Sequence, residues 1–269
     1  MNAINFDYLI RSGLPSAPEH PDLLGEKFVN TLDALSSIDP IIFSDWQVMD
    51  FPKKDSLPLA KARSCIGAIV EENVTRDDFR RPEPYYGYSA VAFTSNPIKS
   101  RKVSLRIKAG GQSKGDTWLQ TGDWQVLPDP AIVTYPLFRA ALLAINAIWP
   151  PIWACACAFR SNTVRVPETY PGGVQGYRLE NLPLVPSDPT FKDSDFHIPW
   201  IGYLSAPLAT GVTLPREITT ERVPDGGLLM IATTERLDPE NPDHLRRARL
   251  IAETMLARTG YSTYAVQRG

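Results

Sequence analysis

Between residues 21 and 39, Leu24, Phe28, Leu32, Leu35 and Ile38 recur at intervals of three and four, and this spacing predicts a helix that Pro40 ends. Ile41, Ile42 and Phe43, followed by Trp46 and Val48, read as extended or irregular buried chain. A second helix is expected from the cap Ser56 to Asn73, with Leu59, Ala62, Ile66, Ile69 and Val70 on one face. Residues 88–94 and 102–108 read as two antiparallel strands, because Val103, Leu105 and Ile107 alternate with Lys102, Ser104, Arg106 and Lys108. Shorter strands are expected at 117–120 and 124–127. Pro136 suits the first turn of a third helix, whose face Phe138, Leu142, Ile145 and Trp149 continues to the stop at Pro150 and Pro151. That helix is apolar nearly all round and is expected to be buried.

Residues 153–159 are small and apolar without alternation, as in a strand covered on both faces. The Pro- and Gly-rich stretch from 167 to 199 shows no helix or strand pattern. A strand at 200–204 precedes two apolar runs, 218–223 and 228–233, which the turn Pro224-Asp225-Gly226-Gly227 joins as a hairpin. A last helix opens with Asn241 and Pro242, carries Leu245, Ala248, Ala252, Met255 and Leu256, and closes at Gly260. With no βαβ rhythm, the pattern predicts an α+β fold: a mixed or antiparallel sheet packed with about four helices. It forms one domain over 1–269, or two poorly separated lobes at about 1–150 and 151–269.

Composition sharpens this only in part. With 43% hydrophobic and 22% charged residues the chain is an ordinary globular one, and its 25 prolines predict short elements joined by stiff loops. The start of the chain lacks a basic region leading into an apolar stretch, and no run is long enough to span a membrane, so a cytoplasmic location is expected. The formal charge of −2 favours no strongly charged partner overall, which leaves electrostatics to local patches. One patch is basic: Lys99, Arg101, Lys102, Arg106, Lys108 and Lys114 fall between Asn96 and Gly115 with no acid among them. Two are acidic, one with Glu71, Glu72, Asp77, Asp78 and Glu83, the other with Asp188, Asp193 and Asp195.

Cys155 and Cys157 share a strand face, but no second cysteine pair or nearby histidine completes a metal site, so they read as buried small hydrophobes, and Cys65 likewise. Only His20, His197 and His244 could serve as imidazole bases, and no nucleophile elbow, phosphate loop, dinucleotide fingerprint or zinc-protease motif occurs. The residues thus point away from an enzyme and name no metal or cofactor. Tyr85, Tyr86, Trp118 and Trp124 place aromatic groups in loop-rich sequence, where such side chains anchor protein interfaces.

Four stretches, taken in order, resemble the bacterial polymorphic-toxin immunity proteins, specifically the immunity protein 52 family. They are Thr31–Leu35 leading to Pro40 and Trp46, Tyr135–Ala141 leading to Trp149 and Trp153, Trp200–Leu204, and Asp225–Met230 followed by the helix at Asn241. The resemblance spans residues 28 to 260 or so and implies an α+β protein that binds and blocks a cognate toxin, in some systems a nuclease delivered by type VI secretion. It carries no catalytic residue over. On local chemistry, the toxin contacts are expected at Asp188, Asp193 and Asp195, which would face a nuclease's basic groove, with Tyr85, Tyr86 and Trp118 beside them. The alternative is an anion- or nucleic-acid-binding module using the basic face from Lys99 to Lys114, although no direct nucleic-acid binding is expected on the leading reading.

Overall fold

The computed structural model describes residues 6–51, 53, 55–94, 103–121, 132–160, 163–170, 174–181 and 197–260, with the backbone alone at 6–7, 159–160, 163–170, 174–181 and 197. In chain order the strands are β1 (Phe6–Leu14), β2 (Trp46–Asp50), β3 (Asp55–Pro58), β4 (Tyr88–Thr94), β5 (Val103–Ala109), β6 (Gly115–Thr121), β7 (Trp153–Arg160), β8 (Thr163–Tyr170), β9 (Val174–Asn181), β10 (His197–Leu204), β11 (Thr219–Arg222) and β12 (Leu228–Ile231). The helices are α1 (Pro21–Ile38), α2 (Leu59–Ala62), α3 (Ile66–Glu72), α4 (Tyr135–Ile148), α5 (Ala206–Ala209) and α6 (Pro242–Thr259). Ten strands make one sheet in the order β11-β12-β10-β7-β1-β6-β5-β4-β2-β3, while β8 and β9 pair only with each other. Every strand pairing in the large sheet is antiparallel, and the α+β class read from the sequence holds.

The first strand lies mid-sheet, with β6 on one side and β7 on the other. Its side chains alternate between two cores. Tyr8, Ile10 and Leu14 face a large core built with α1, α3 and α4, whereas Leu9 faces a smaller one built with α5 and α6. The polar residue on the large-core side is matched across the strand pair, since the fully buried Ser12 hydroxyl hydrogen-bonds the Thr117 hydroxyl. Tyr8 completes the join by donating to the Leu237 carbonyl at 2.7 Å and packing edge-on against Trp200 and Phe138. Burial pushes the Tyr8 phenol up to about 12, so it remains a donor throughout the neutral range.

Most helical readings stand. Leu24, Phe28, Leu32 and Leu35 are the buried stripe of α1, and on α4 Phe138, Leu142 and Ile145 are buried. The rest of α4 is half-buried except at Pro136 and Ala147, which are exposed. Its N-cap is Thr134, and the Trp149 indole just past its end donates to Thr31 of α1 at 2.8 Å. Asn241 caps α6 through the amides of Asp243 and His244, and Gly260 closes it in the left-handed conformation. The Asp225 carboxylate holds the β11–β12 turn by accepting from the Gly227 amide and from the Tyr203 hydroxyl. Gly202 of β10 lets α6 lie close, because a Cβ there would sit 2.7 Å from Ile251 and 2.9 Å from Met230.

Three expectations are corrected. The second helix does not start at Ser56: Ser56 and Leu57 pair with Met49 and Val48 in β3, and Pro58, which cannot donate a backbone hydrogen bond, precedes the first helical turn. The run to Asn73 then breaks into α2, a 3-10 turn at Arg63–Cys65 and α3, which changes the helical phase and leaves Cys65 exposed rather than buried. The stretch from 167 onward is not free of strands, since β8 and β9 form a hairpin in which Pro167 faces Tyr177. Proline is tolerated there because each strand of a two-stranded ribbon has one edge without a ladder partner. The strand expected at 117–120 is the longer β6, and residues 124–127 lie outside the described part.

Trp200 sets the stability test. It is fully buried at the meeting of β1, α4 and β10, and its indole donates to the Thr233 carbonyl at 2.9 Å. Trp200→Ala should lower the unfolding free energy by about 3–5 kcal/mol, read from the urea midpoint at unchanged slope, with Tyr203→Phe costing only about 1 kcal/mol.

Candidate functional site

Cross-strand register determines what each sheet face presents. On the face that carries α6, one row runs Gly202, Cys155, Arg11, Trp118, Arg106, Val91 from β10 to β4. The next row runs Gly13, Asp116, Lys108, Ser89. Over β10 and β7 this face is covered by α6, and Cys155 and Cys157 are buried. From β6 to β2 no helix among the described residues covers it, and the side chains turn polar or amphipathic. Trp118, Gln120, Ser104, Arg106, Lys108, Ser89, Val91 and Phe93 all retain solvent contact. The opposite face of the same strands carries Ala90, Ala92, Val103, Leu105, Ile107 and Leu119 into the large core.

Part of the open face is a groove of about 770 Å³. Its floor is Val91, Ser89, Arg106, Lys108 and Asp116, and its wall is Phe51, the chain from Glu72 to Arg76, and Arg80. Four cations, Arg76, Arg80, Arg106 and Lys108, meet two carboxylates, Glu72 and Asp116. Arg106 and Asp116 approach to 3.6 Å, and Glu72 lies 3.4 Å from Lys53, so the carboxylates are already engaged and the lining keeps a positive excess. One oxygen of Asp116 is nevertheless buried without a hydrogen-bond donor among the described residues.

Asn73 builds the wall. Its carboxamide accepts from the Phe51 amide at 3.2 Å and donates to the Met49 carbonyl at 3.3 Å, while its own carbonyl accepts from the Ser89 amide. One buried residue thereby ties the end of α3 to β2 through its side chain and to β4 through its backbone. Beyond it the chain makes a tight excursion from Arg76 to Pro82. The Asp77 carboxylate accepts from the amides of Phe79 at 2.9 Å and Arg81 at 2.7 Å and from the Arg81 guanidinium at 2.8 Å. Backbone bonds Arg80 to Asp77, Asp77 to Arg81 and Glu83 to Thr75 close the loop, and Arg80 takes a positive φ of 62°. Phe79 stands at its tip, 79% exposed, with the Arg81 guanidinium 5.1 Å from the ring centre.

Of the residues singled out from the sequence, Tyr85 and Tyr86 lie in a 3-10 turn after this loop, about half exposed and edge to face at 5.2 Å. Trp118 is not in a loop. It sits on β6, half-buried under the Arg11 guanidinium and directly opposite Arg106. Asp188, Asp193, Asp195 and Trp124 lie outside the described residues, as do Lys99, Arg101 and Lys102 of the basic patch. The alternation of that patch is found where β5 is described, with Arg106 and Lys108 on the open face. Asp77, one of the first acidic patch, is spent inside its own loop. Sequence pattern alone does not single out Phe79, Arg76, Arg80 or Asn73. A signal for Phe79 does exist: it is a large apolar residue inside the charged run Asp77-Asp78-Phe79-Arg80-Arg81.

Among the described residues no histidine lines the groove. His20 caps α1 and His244 accepts from the Asp238 amide, so neither lines it. The Cys157 thiol, raised by burial and then by its neighbour Cys155, stays protonated and acts as apolar filling. Among the described residues no three metal-binding side chains converge, and no helix is long and apolar enough to cross a membrane.

Residues 184–263 match the model of the family described as Immunity protein 52. The match takes in β10, the β11–β12 hairpin and α6, which are the third and fourth stretches that carry the resemblance in the sequence; the first two lie outside it. No curated protein matches the sequence. Among solved structures the chain is similar to the Pseudomonas aeruginosa T6SS protein PA0821, at 13% identity and a TM-score of 0.49, over 94% of this chain and 76% of that one.

The Asp77 geometry gives a pH test. Hydrogen bonds from the Arg81 amide, the Arg81 side chain and the Phe79 amide hold its carboxyl below the usual aspartate range. A depressed carboxyl contributes order above its unfolded value and loses it as pH falls through the depressed one. NMR titration should therefore show the Phe79 and Arg81 amide shifts moving together with the Asp77 carboxyl, at a pH below the aspartate value of about 3.9. Asp77→Ala should abolish that transition and lower the amide order parameters of residues 77–81.

Proposed function

We propose that this chain is an immunity protein, which binds a cognate toxin and holds it inactive by stoichiometric occlusion without altering it chemically. The observation that carries the reading is the match of residues 184–263 to the immunity protein 52 family. The resemblance in the sequence extends it to a nuclease toxin delivered by type VI secretion, and to action in the cytoplasm, where such a toxin would meet its substrate. The groove supports binding by offering charge and a hydrogen-bonded wall.

An inhibitor without turnover must leave slowly. A nanomolar dissociation constant corresponds to about −12 kcal/mol, and a standard interface of roughly 800 Å² per partner suffices when it contains well-packed anchors. A second reading, anion binding at the same groove, is favoured by the positive excess of its lining.

Co-expression with the toxin encoded in the adjacent reading frame should protect the cell fully, and the purified pair should form a one-to-one or two-to-two complex by light scattering. Toxin released from that complex by denaturation and refolding should regain full activity at unchanged mass. Inhibition far below stoichiometric amounts, a covalent change in the toxin, or no complex at all would overturn the reading.

A further inference from the structure

We propose that the groove and the Phe79 loop together are the docking surface for a carboxylate-bearing segment of the toxin, with the Phe79 ring entering an apolar pocket beside it. This rests on the immunity reading above and specifies its contact site.

Three observations converge on one place. The first is Phe79. Single exposed apolar side chains are ordinary, but this one is the most exposed large apolar residue among those described, and it adds nothing to either core. It is also preformed: three hydrogen bonds to Asp77 fix the loop, and Arg81 lies over the ring. An aromatic group already held in place loses little entropy on binding, the property of an anchor. The second is clustering. Of the six exposed large apolar residues, four (Phe51, Phe79, Tyr85 and Tyr86) belong to the segments that wall the groove or adjoin it. The third is charge: Arg80 and Lys108 enter the groove without an ion-pair partner among the described residues, beside Arg76 and the pair of Arg106 with Asp116.

Those features select a protein over a nucleic acid. A phosphate chain in this groove would pass the carboxylates of Glu72 and Asp116. A polypeptide supplies both signs. Its Asp and Glu side chains reach Arg80 and Lys108, a donor reaches the half-exposed Glu72 carboxylate, and a hydrophobic pocket receives Phe79. If the toxin is a nuclease, its phosphate-binding groove is basic and repels this face. The contact therefore falls on an acidic region of the toxin.

Binding of the toxin from the adjacent reading frame to the full-length protein, followed by biolayer interferometry, tests this. Phe79→Ala should weaken the complex at least tenfold, mainly through faster dissociation. The double variant Arg80→Asp, Lys108→Glu should weaken it at least tenfold, mainly through slower association and with a reduced dependence on salt. Aspartate is used at position 80 because it tolerates positive φ. Arg216→Glu, on the exposed loop before β11, alters charge in the same sense away from the groove and should leave affinity unchanged. Melting temperatures show that each variant is folded. Wild-type affinity in the folded Phe79 and Arg80/Lys108 variants overturns the docking site while the immunity reading stands, and failure of the wild-type protein to bind the toxin overturns both. A 20-base-pair DNA duplex is the second probe. Submicromolar, salt-sensitive binding that the double variant loses would show a nucleic-acid groove and overturn the proposal.

Discussion

The structure depends on β1 finding partners for both of its backbone edges. A buried strand must pair its amides and carbonyls on two sides, and β1 does so with β6 and β7, which come from opposite halves of the chain. Without it, β6 and β7 would each become an exposed edge, and the ten-stranded sheet would separate into strands before residue 122 and strands after residue 152. The Ser12 and Thr117 hydroxyls, the Tyr8 bond to Leu237 and the packing of Tyr8 on Trp200 and Phe138 all lie along this strand. They link α4 and the β10 side of the molecule to the half that carries the groove.

This continuity explains how one face can be core at one end and open surface at the other. Along the row from β10 to β4 the residues change from Gly202 and Cys155, small enough for α6 to settle on, to Arg11, Trp118 and Arg106. Helix cover ends where the side chains become too large and too polar to be dried. The open half is kept in shape from beneath by α1 and α3, and from the side by Asn73, whose three hydrogen bonds fasten the end of α3 to the paired strands β2 and β4. Rigidity at the groove is thus borrowed from the core, and the loop carrying Phe79 adds its own through Asp77.

What can be read in the sequence is whatever short-range pattern encodes. The stripe of α1, the caps of α4 and α6, the alternation of β5 and the Asp-Gly-Gly hairpin each carry their signal within a few residues. By contrast, β1 escapes a sequence reading because its second half, Arg11-Ser12-Gly13, is too polar and too small for the middle of an ordinary sheet. Arg11 is accommodated by the Trp118 ring and Ser12 by Thr117, more than a hundred residues away. The break in the second helix is of the same kind, since its first residues are taken by pairing with β2. At the candidate site, Tyr85 and Tyr86 are legible as exposed aromatics. The groove is not, because Arg80 and Lys108 converge only through the fold of five separate segments.

The central position of β1 also sets an order of assembly. As the chain leaves the ribosome this strand emerges before the rest of the sheet, yet its partners follow only after roughly a hundred and a hundred and forty residues more. Contacts of such wide sequence separation are slow to form, because a long loop must close before any pairing rewards it. The α1 and α3 helices and the β4–β5 hairpin can gather earlier, but the sheet remains two unfinished halves until β7 has been made. The two halves of the sheet therefore share one closing step, and a newly made chain acquires its full fold only once residues 153–160 have been made and have paired with β1.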